Sequence, residues 1–452
     1  MWIHSRRNFL QLGMKAASAL GAAGAMGKFG AMNALAYGPD YKALVCIFLY
    51  GGNDGHNTVV PITMTGQSYA NYASARGAVA LPQASLLPFG TSKNETFGLH
   101  PKLAEIHNLY QLKKAAVLAN TGMLVTPIAN RQVYLNGQVP VPANLFSHSD
   151  QQDQWQTATP NNLAATGWGG RMSDLMQGMN AGSSFPSTVF TASNGIFCTG
   201  QQTFPTTVPP GGAIALGGLS SNPARLQGVQ QLLTFDNGLK LVQASNKLVS
   251  GGVANANLLN GALATAPNLQ TPFPAGNQLA AQLKMVARII SVRAQLGLSR
   301  QIFFCSLGGF DTHSGQVAQQ DVLLQQLSQA VGAFYTSTVE LGIDSSVTTF
   351  TSSEFGRTLM PNSSGGTDHA WGSHHFAIGG AVKGGDMVGA FPQLALGGQQ
   401  DATGRGSLIP SISVDQYGAT LANWFGVSQP NLPTLFPNIG NFAAAANLGF
   451  LG

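Results

Sequence analysis

Residues 41–50 read YKALVCIFLY, and the turn GGNDGHN follows at residues 51–57. The run is apolar, β-branched and aromatic, which is typical of a strand buried in a parallel sheet. Similar runs occupy residues 115–119, 301–307 and 346–351. Helical patterns lie between and after them, at residues 101–112, 277–296, 317–341 and 414–425. The repeated order of strand, glycine-rich turn and helix predicts an α/β fold, with a doubly wound, mostly parallel central sheet and helices on both faces.

The N-terminus carries an export pattern. The segment SRRNFL at residues 5–10 is a twin-arginine signature, and an Ala/Gly-rich stretch leads to a small-x-small site at Ala34-Leu35-Ala36. A membrane anchor is the alternative, but Lys15 and Lys28 are costly at the centre of a bilayer span. We predict a signal peptide over residues 1–36, contact with the twin-arginine export machinery, and a periplasmic or extracellular protein with no stable membrane span after cleavage.

The charge balance excludes some partners. The sequence has 22 basic and 17 acidic residues, and four of the basic ones lie in the predicted signal peptide. The mature chain therefore has 18 basic against 17 acidic residues, a net charge near +1. No basic run follows, so neither nucleic acid nor an anionic membrane surface is an expected partner.

Residues 199–274 break the alternation of strands and helices. They are rich in Gly, Pro, Asn, Gln and Thr, with the turn PPGG at residues 209–212 and a modest helical stretch around residues 225–248. We interpret this region as an insertion or cap on a single domain, residues 37–452. Elsewhere in that domain, Cys46 and Cys305 lie inside apolar runs, which predicts buried free thiols rather than disulfides.

Three predicted strands end in a turn that contains a carboxylate. The turns read GGNDGHN, GGFDTH (residues 308–313) and SSEFGR (residues 352–357), and they supply Asp54, Asp311 and Glu354. Because the carboxyl ends of parallel strands meet at one edge of a sheet, we expect these side chains to converge. A divalent cation would offset their mutual repulsion.

Histidines and further acids lie close to two of these turns. Charged residues make up only 9% of the chain and there are nine histidines, so this local density is informative. It predicts a divalent-metal site whose candidate ligands are Asp54, Asp311, His313, Glu354, Asp368 and His369. Mixed carboxylate and imidazole ligands suit zinc or manganese, whereas carboxylates alone favour calcium.

Each candidate also has an ordinary structural interpretation. Asp54 between glycines suits a turn, and Asp311 suits a helix cap. Glu354 and Arg357 suit a partly exposed ion pair. His374 and His375 either line the site or lie on a strand, where neighbours point to opposite faces.

Four segments resemble a known family: LYGGNDGHNTVVP, SHSDQQDQW, GGFDTH and SEFGRTLMPNSSGGTDHAWGSHHFAIGG. They are similar, in this order, to a large bacterial family of twin-arginine-exported proteins catalogued as domain of unknown function fifteen-oh-one. That family in turn looks like a distant branch of the alkaline phosphatase and sulfatase superfamily. The resemblance implies an alkaline phosphatase-like sheet with a divalent-metal site.

The resemblance also implies roles for single residues. Asp54 matches the superfamily's first ligand, and Asp311, His313, Glu354 and His369 match its late ligands. Ser147 is the best match to its nucleophile, with Ser149 as a rival and a helix cap as the ordinary alternative. Independently of the resemblance, the guanidinium of Arg357 suits a bidentate clamp on the charged oxygens of a substrate. The superfamily usually has an Asp-His pair where this chain has Glu354-Phe355, which leaves open whether one metal binds or two.

The implied chemistry is hydrolysis or transfer of a phosphate or sulfate ester, on a small-molecule or polymer substrate. A sulfatase with a modified Cys or Ser is disfavoured, because no Pro and Arg follow Ser147 at the required spacing. An ordinary serine esterase lacks its G-x-S-x-G elbow here. The alternative is a non-catalytic exported binding or assembly protein that keeps the fold with a structural metal or with none.

Overall fold

The computed structural model describes residues 40–161, 164–192, 195–212, 222–235 and 238–452, without the side chains of residues 443–445. The predicted signal peptide, residues 1–36, lies outside the described residues. Residues 42–452 form one compact unit. The strands are β1 (Lys42–Tyr50), β2 (Val59–Met64), β3 (Gln67–Ser68), β4 (Leu87–Gly90), β5 (Thr96–Leu99), β6 (Ala115–Gly122), β7 (Thr188–Phe190), β8 (Thr206–Thr207), β9 (Arg300–Gly308), β10 (Val347–Ser352), β11 (Ser373–Gly379), β12 (Met387–Val388) and β13 (Ile412–Ser413).

The helices surround these strands and alternate with the long ones. They are α1 (Gly55–Thr58), α2 (Tyr69–Arg76), α3 (Ala104–Gln111), α4 (Arg131–Leu135), α5 (His148–Thr157), α6 (Trp168–Leu175), α7 (Pro223–Leu233), α8 (Lys240–Ala264), α9 (Gln278–Ser291), α10 (Gln316–Glu340), α11 (Val414–Phe425) and α12 (Leu432–Leu435). Short 3-10 turns occupy Gly77–Val79, Gln83–Ser85, Gln177–Asn180, Asp344–Ser346, Gln429–Asn431 and Ile439–Ala445.

The central sheet is mostly parallel, as predicted. In the described part of the chain its order is β12-β6-β11-β10-β1-β9-β7-β8, with β13 beside β6. Strand β1 pairs in parallel with β9 on one side and with β10 on the other. Of the strands that the structure describes here, β11 alone runs antiparallel to its neighbours. The predicted fold class is confirmed, and β1 is its central strand.

Both faces of β1 are covered, which explains its unbroken apolar run. Leu44, Cys46 and Phe48 lie in one buried cluster with Trp168 of α6 and Tyr417 of α11. Alternate residues of a strand point to the opposite face, where residues 43, 45 and 47 are also fully buried. Helix α10 packs on α3 and on α9, and α9 contacts β9. The free thiols of Cys46 and Cys305 are buried, as predicted.

A second sheet, which the sequence patterns did not predict, follows the first site turn. It has the order β3-β2-β5-β4 and is antiparallel throughout. Its strands are short, and Pro61 and Pro88 interrupt two of them. Proline is confined to edges and irregular positions of sheets, so a proline within a short run argues against a strand when only the sequence is known.

The region interpreted as an insertion is more helical than predicted. Helix α8 is 25 residues long and continues through Gly251 and Gly252, which favour a break in an isolated helix. Among the described residues, no helix has both the length and the apolar character needed to cross a bilayer.

Candidate metal centre

The turn after β1 comes very close to the turn after β9. Gly51 has φ +115°, and a Cβ at this position would lie 2.3 Å from the backbone nitrogen of Asp311. Only glycine combines this left-handed backbone with so close an approach. The contact places Asp311 at the carboxyl edge of the sheet, where the sequence predicted it.

Three histidines surround one carboxylate oxygen. Asp311 Oδ1 lies 3.0 Å from His313 Nε2, 3.3 Å from His369 Nε2 and 3.4 Å from His148 Nε2. His148, Asp311 and His369 each offer a ligand atom, and these atoms all lie within 4.8 Å of one another. The Nε2 atoms of His313 and His369 are 3.1 Å apart. We call these four side chains the histidine cluster.

The opposite nitrogen of each histidine has its own acceptor. His148 Nδ1 lies 2.9 Å from Glu354 Oε1, and His313 Nδ1 lies 3.2 Å from Asp368 Oδ1. His369 Nδ1 lies 2.8 Å from the carbonyl oxygen of Phe146. A carboxylate or carbonyl accepts only, so these contacts favour a proton on Nδ1, and a neutral ring in that tautomer presents the Nε2 lone pair to the cluster.

The cluster therefore points lone pairs at one another. His148 Nε2 is buried and has no hydrogen-bond partner, although it lies near Asp311. Converging lone pairs and a carboxylate oxygen repel unless a cation lies among them. Three imidazole nitrogens and one carboxylate oxygen form a donor set that suits zinc and related divalent ions. Carboxylate or carbonyl partners behind the ligating histidines are the usual support of such sites.

The ionisation of the acids fits this arrangement. Burial alone would raise the pKa of Glu354, but hydrogen bonds from His148, Gln152 and the Gly51 amide outweigh it and lower the pKa. Burial likewise opposes ionisation of Asp311, and its hydrogen bond with Arg357 lowers the pKa. Both groups are therefore carboxylates at neutral pH.

The pKa values of two histidines in the cluster are shifted in opposite directions. The hydrogen bond to Glu354 raises the pKa of His148, whereas burial lowers the pKa of His369. A proton on His148 Nε2 would take the space of the cation. Metal binding would therefore displace that proton.

His148 is held by an unusual backbone. It is the first residue of α5, and Ser147 is the N-cap. Phe146, just before, has φ +72°. A bulky residue rarely adopts this conformation, and such strain is concentrated at functional sites. Here it directs the Phe146 carbonyl at His369, while the Phe146 amide donates to Gln151 Oε1 at 2.6 Å.

Arg357 lies under the cluster rather than beside a substrate space. Its side chain is fully buried and pairs with Asp311. It also donates to four backbone carbonyls, those of Gly51, Gly52, Phe310 and Thr367. A contact of 3.5 Å with His313 Nε2 accounts for the remaining donor. Most of the guanidinium donors are engaged by Asp311 and by backbone carbonyls, so we assign Arg357 to the positioning of Asp311.

Asp54 is the predicted ligand that the structure keeps apart from the cluster. Its carboxylate accepts from the amides of His56 and Asn57 at the start of α1. It also pairs with the buried Arg76 and accepts from Gln316. This is the turn and capping role that the sequence left open as the alternative, and it occupies both carboxylate oxygens. We leave Asp54 out of the candidate site.

The other predicted residues lie around the cluster. Glu354 and Asp368 contact the Nδ1 atoms of His148 and His313, on the other side of each ring from the proposed ligand atom Nε2. Ser147 Oγ donates to Asp150 Oδ2 at 2.5 Å and lies 3.3 Å from Ser149 Oγ. Its role as nucleophile stays a prediction.

The structure also gives the positions of Phe355 and of the pair His374 and His375. The Phe355 ring packs on His148 and His369, with ring centroids 4.8 and 4.7 Å apart. His374 and His375 lie on β11 and are both buried.

Sequence reasoning missed His148. The segment SHSDQQDQW was noticed only for Ser147, although the histidine inside it is one of nine in the chain. No other ligand lies near it in sequence, so only the rarity of histidine could have singled it out.

The sequence of the chain matches one protein family. A family model described as "Protein of unknown function (DUF1501)" covers residues 41–412. The chain belongs to the DUF1501 family. This confirms the resemblance drawn from the four motifs. No curated protein matches the sequence.

Several solved structures are distantly similar to this DUF1501 protein. They include the C-terminal periplasmic domain of EcEptC from Escherichia coli in complex with Zn, with 10% identity, a TM-score of 0.33, and coverage of 76% of this chain and 73% of that chain. The PsFucS1 sulfatase from Pseudoalteromonas sp. has 9% identity and a TM-score of 0.34, with coverage of 91% and 74%. The phosphonate monoester hydrolase of Agrobacterium radiobacter has 8% identity and a TM-score of 0.32, with coverage of 86% and 74%. These likenesses are too weak to indicate a shared site or reaction.

Replacing Glu354 by glutamine tests its role behind His148 in this DUF1501 protein. We expect metal affinity to fall about 10- to 100-fold, because a neutral amide holds the Nδ1 proton less firmly than a carboxylate. Competition with a chromophoric chelator measures the affinity, and circular dichroism checks the fold.

The matched control is Glu340→Gln. Glu340 also accepts hydrogen bonds from two backbone amides, at the end of α10. Its variant should bind metal like the unaltered protein. Equal affinity in both variants would exclude the orienting role of Glu354.

Proposed function

We propose that the protein is an exported, metal-dependent hydrolase of phosphate or sulfate esters. One observation carries the proposal: three histidine Nε2 atoms converge on Asp311 Oδ1, with Nδ1 of each ring held by an oxygen. The proposed ligands are His148, Asp311, His313 and His369. The sequence resemblance to the alkaline phosphatase and sulfatase superfamily supports the ester class.

The donor set narrows the choice of metal. Imidazole nitrogens suit zinc and manganese, whereas calcium prefers a shell of oxygens. The proposed cofactor is therefore zinc or manganese, bound as a single ion. In the described part of the chain, His148, Asp311 and His369 form the one group of His, Cys, Asp and Glu side chains arranged closely enough to hold an ion. His313 Nε2 lies beside this group, near Asp311 and His369.

The bound ion would act as a Lewis acid toward the ester and a nearby hydroxyl or water. The chain's own residues prepare the site for that chemistry. Arg357 fixes the ionised Asp311, and Glu354 fixes His148. The Phe355 ring covers two of the histidines and keeps water from that side.

Ser147 is the proposed nucleophile, since it directly precedes His148 and caps the same helix. Its hydroxyl proton is held by Asp150. Hydrogen bonds from Asn144 and from Ser147 itself lower the pKa of Asp150, so it is an ionised acceptor at neutral pH. The dipole of α5 favours an anion at this end of the helix.

Export is part of the proposal. The periplasmic or extracellular location rests on the twin-arginine pattern, and that pathway carries proteins already folded around a cofactor. The substrate is a small-molecule or polymer ester.

The test combines metal content with turnover. Protein expressed in the cytoplasm should contain about one zinc or manganese ion per chain by mass spectrometry. It should cleave an aryl phosphate, a bis-aryl phosphate or an aryl sulfate, lose this activity on chelation, and regain it with metal. Ser147→Ala should remove turnover and keep the metal, with Ser149→Ala as the matched control.

Other outcomes have defined meanings. Stoichiometric metal without turnover on any of the three esters would favour the non-catalytic exported binding or assembly protein. A well-folded protein that takes up no divalent metal would contradict the metal site and the hydrolase together.

A further inference from the structure

A cavity opens beside the histidine cluster. It measures about 280 Å³ and is lined by Phe146, His313, Thr358, Asp368, His369, Thr403 and Arg405. Two of these residues are proposed metal ligands, so the cavity borders the space where the ion would bind. Thr403 and Arg405, on a loop that sequence reasoning did not single out, form another part of the lining.

That loop is held rigidly by a buried carboxylate. Asp401 is fully buried. Its Oδ1 accepts from the amides of Thr403, Gly404 and Ser407 at 3.0–3.2 Å, and its Oδ2 accepts from Gly397 at 2.8 Å. Four amides on one carboxylate fix the backbone of the loop. The side chains of Thr403 and Arg405 are therefore presented to the cavity from a preorganised support.

Arg405 differs from Arg357 in what its guanidinium contacts. It makes one ion pair, from Nη1 to Asp368 Oδ2 at 2.7 Å, and its side chain is 41% exposed. Toward the described residues its remaining guanidinium donors make no other hydrogen bond. Thr403 Oγ1 accepts from the Arg405 amide at 3.3 Å and keeps its own proton to donate. The cavity thus has cationic and neutral donors in the same lining as two proposed metal ligands.

The charges around the cavity favour an anion more strongly when the metal is bound. Arg357 with Asp311 and Arg405 with Asp368 are two neutralised pairs. Glu354 contributes one negative charge behind His148. A divalent ion makes the local charge more positive, so metal and anion should each strengthen the binding of the other.

We propose that Arg405 and Thr403 bind the acid group of the substrate, an oxyanion with at least two non-bridging oxygens. One oxygen faces the metal ligands His313 and His369, and another accepts from Arg405, whose planar fork suits phosphate and sulfate groups. Arg405 is thus the residue that selects a charged ester over a neutral one. This inference rests on the proposed function and deepens it.

Inorganic phosphate is the probe, and the full-length mature protein loaded with zinc is the sample. Calorimetric titration should show phosphate binding that is lost in the metal-free protein. In Arg405→Gln, at equal metal content, phosphate affinity should fall about 10- to 100-fold, as expected for loss of a charge-assisted contact. Thr403→Val keeps the pair between Arg405 and Asp368 and should cost about 3- to 10-fold.

Arg131→Gln is the matched control. Its guanidinium reaches the same loop beside Gly404, but it does not line the cavity. This variant should bind phosphate like the unaltered protein. Unchanged phosphate affinity in Arg405→Gln, or equal binding with and without metal, would overturn the inference.

The same samples separate the inference from the proposed function. Phosphate binding that needs both metal and Arg405, without turnover on any ester, supports the anion site and contradicts the hydrolase. Turnover of an aryl phosphate whose KM is unchanged in Arg405→Gln supports the hydrolase and overturns the anion site.

Discussion

His148→Ala should lower metal affinity at least about 100-fold and abolish turnover while the protein stays folded. His148 is a proposed direct ligand, so its removal deletes one of three imidazole donors. Its side chain is 30% exposed, so the truncation leaves no large buried cavity. Glu354 keeps its contacts with Gln152 and the Gly51 amide and remains hydrogen-bonded. Metal content after dialysis and competition with a chelator measure the loss.

His107→Ala is the control for this variant. His107 Nε2 lies 2.8 Å from the carbonyl oxygen of Pro88, in the region of the second sheet, and has no place in the histidine cluster. This variant should keep about one ion per chain. If His148→Ala also keeps the ion at unchanged affinity, His148 is not a ligand and the remaining candidates must hold it.

Asp54→Ala should have the opposite profile, with a destabilised fold and an unaffected metal site. Its carboxylate and the Arg76 guanidinium are both buried, with at most 1% of either side chain exposed. Removing one partner leaves a buried charge uncompensated, which costs about 3–5 kcal/mol. Denaturant unfolding measures this free energy, and chelator competition should give a metal affinity within about threefold of the unaltered protein.

A double variant gives the internal control. Asp54→Ala with Arg76→Met removes both charges, so it should be more stable than Asp54→Ala alone. A stable Asp54→Ala protein that has lost its metal would restore the ligand role predicted from the sequence.

The contrast between Asp54 and Asp311 shows what the sequence could decide. Both follow a buried strand in a glycine-bearing turn, so both suit a ligand or a cap equally well. The decision depends on Arg76 and Gln316, which reach Asp54 from α2 and α10 only in the folded chain. Position in a strand-end turn predicts which edge of the sheet a residue occupies, but not which neighbours neutralise its charge.

The histidine cluster was only partly predictable, because one of its members joins the others through tertiary packing. Asp311, His313 and His369 lie in two dense segments of polar residues, so composition alone drew attention to them. His148 comes from a separate helix start and joins them through tertiary packing. Glu354 and Asp368 were predicted as ligands and lie beside histidine Nδ1 atoms instead, because sequence does not distinguish a carboxylate on the metal from one on the far nitrogen of a ligand.

The fold was easier to predict from the sequence than the site, because strands buried in a parallel sheet appear in the sequence as continuous apolar runs. No end of β1, β9 or β10 differs from its predicted position by more than one residue. The antiparallel sheet of β2 to β5 was missed because prolines and short lengths removed the alternation on which strand prediction depends.

The central position of β1 has a consequence for synthesis of the protein. Its first residue, Lys42, pairs with Arg300 of β9, and its other neighbour, β10, begins later still. A ribosome that adds 5–20 residues per second needs on the order of ten seconds or more to produce those partners. Throughout that interval the most apolar strand of the nascent chain has neither of its two sheet neighbours. We therefore expect the emerging polypeptide to need a chaperone that binds its N-terminal region until β9 and β10 leave the ribosome.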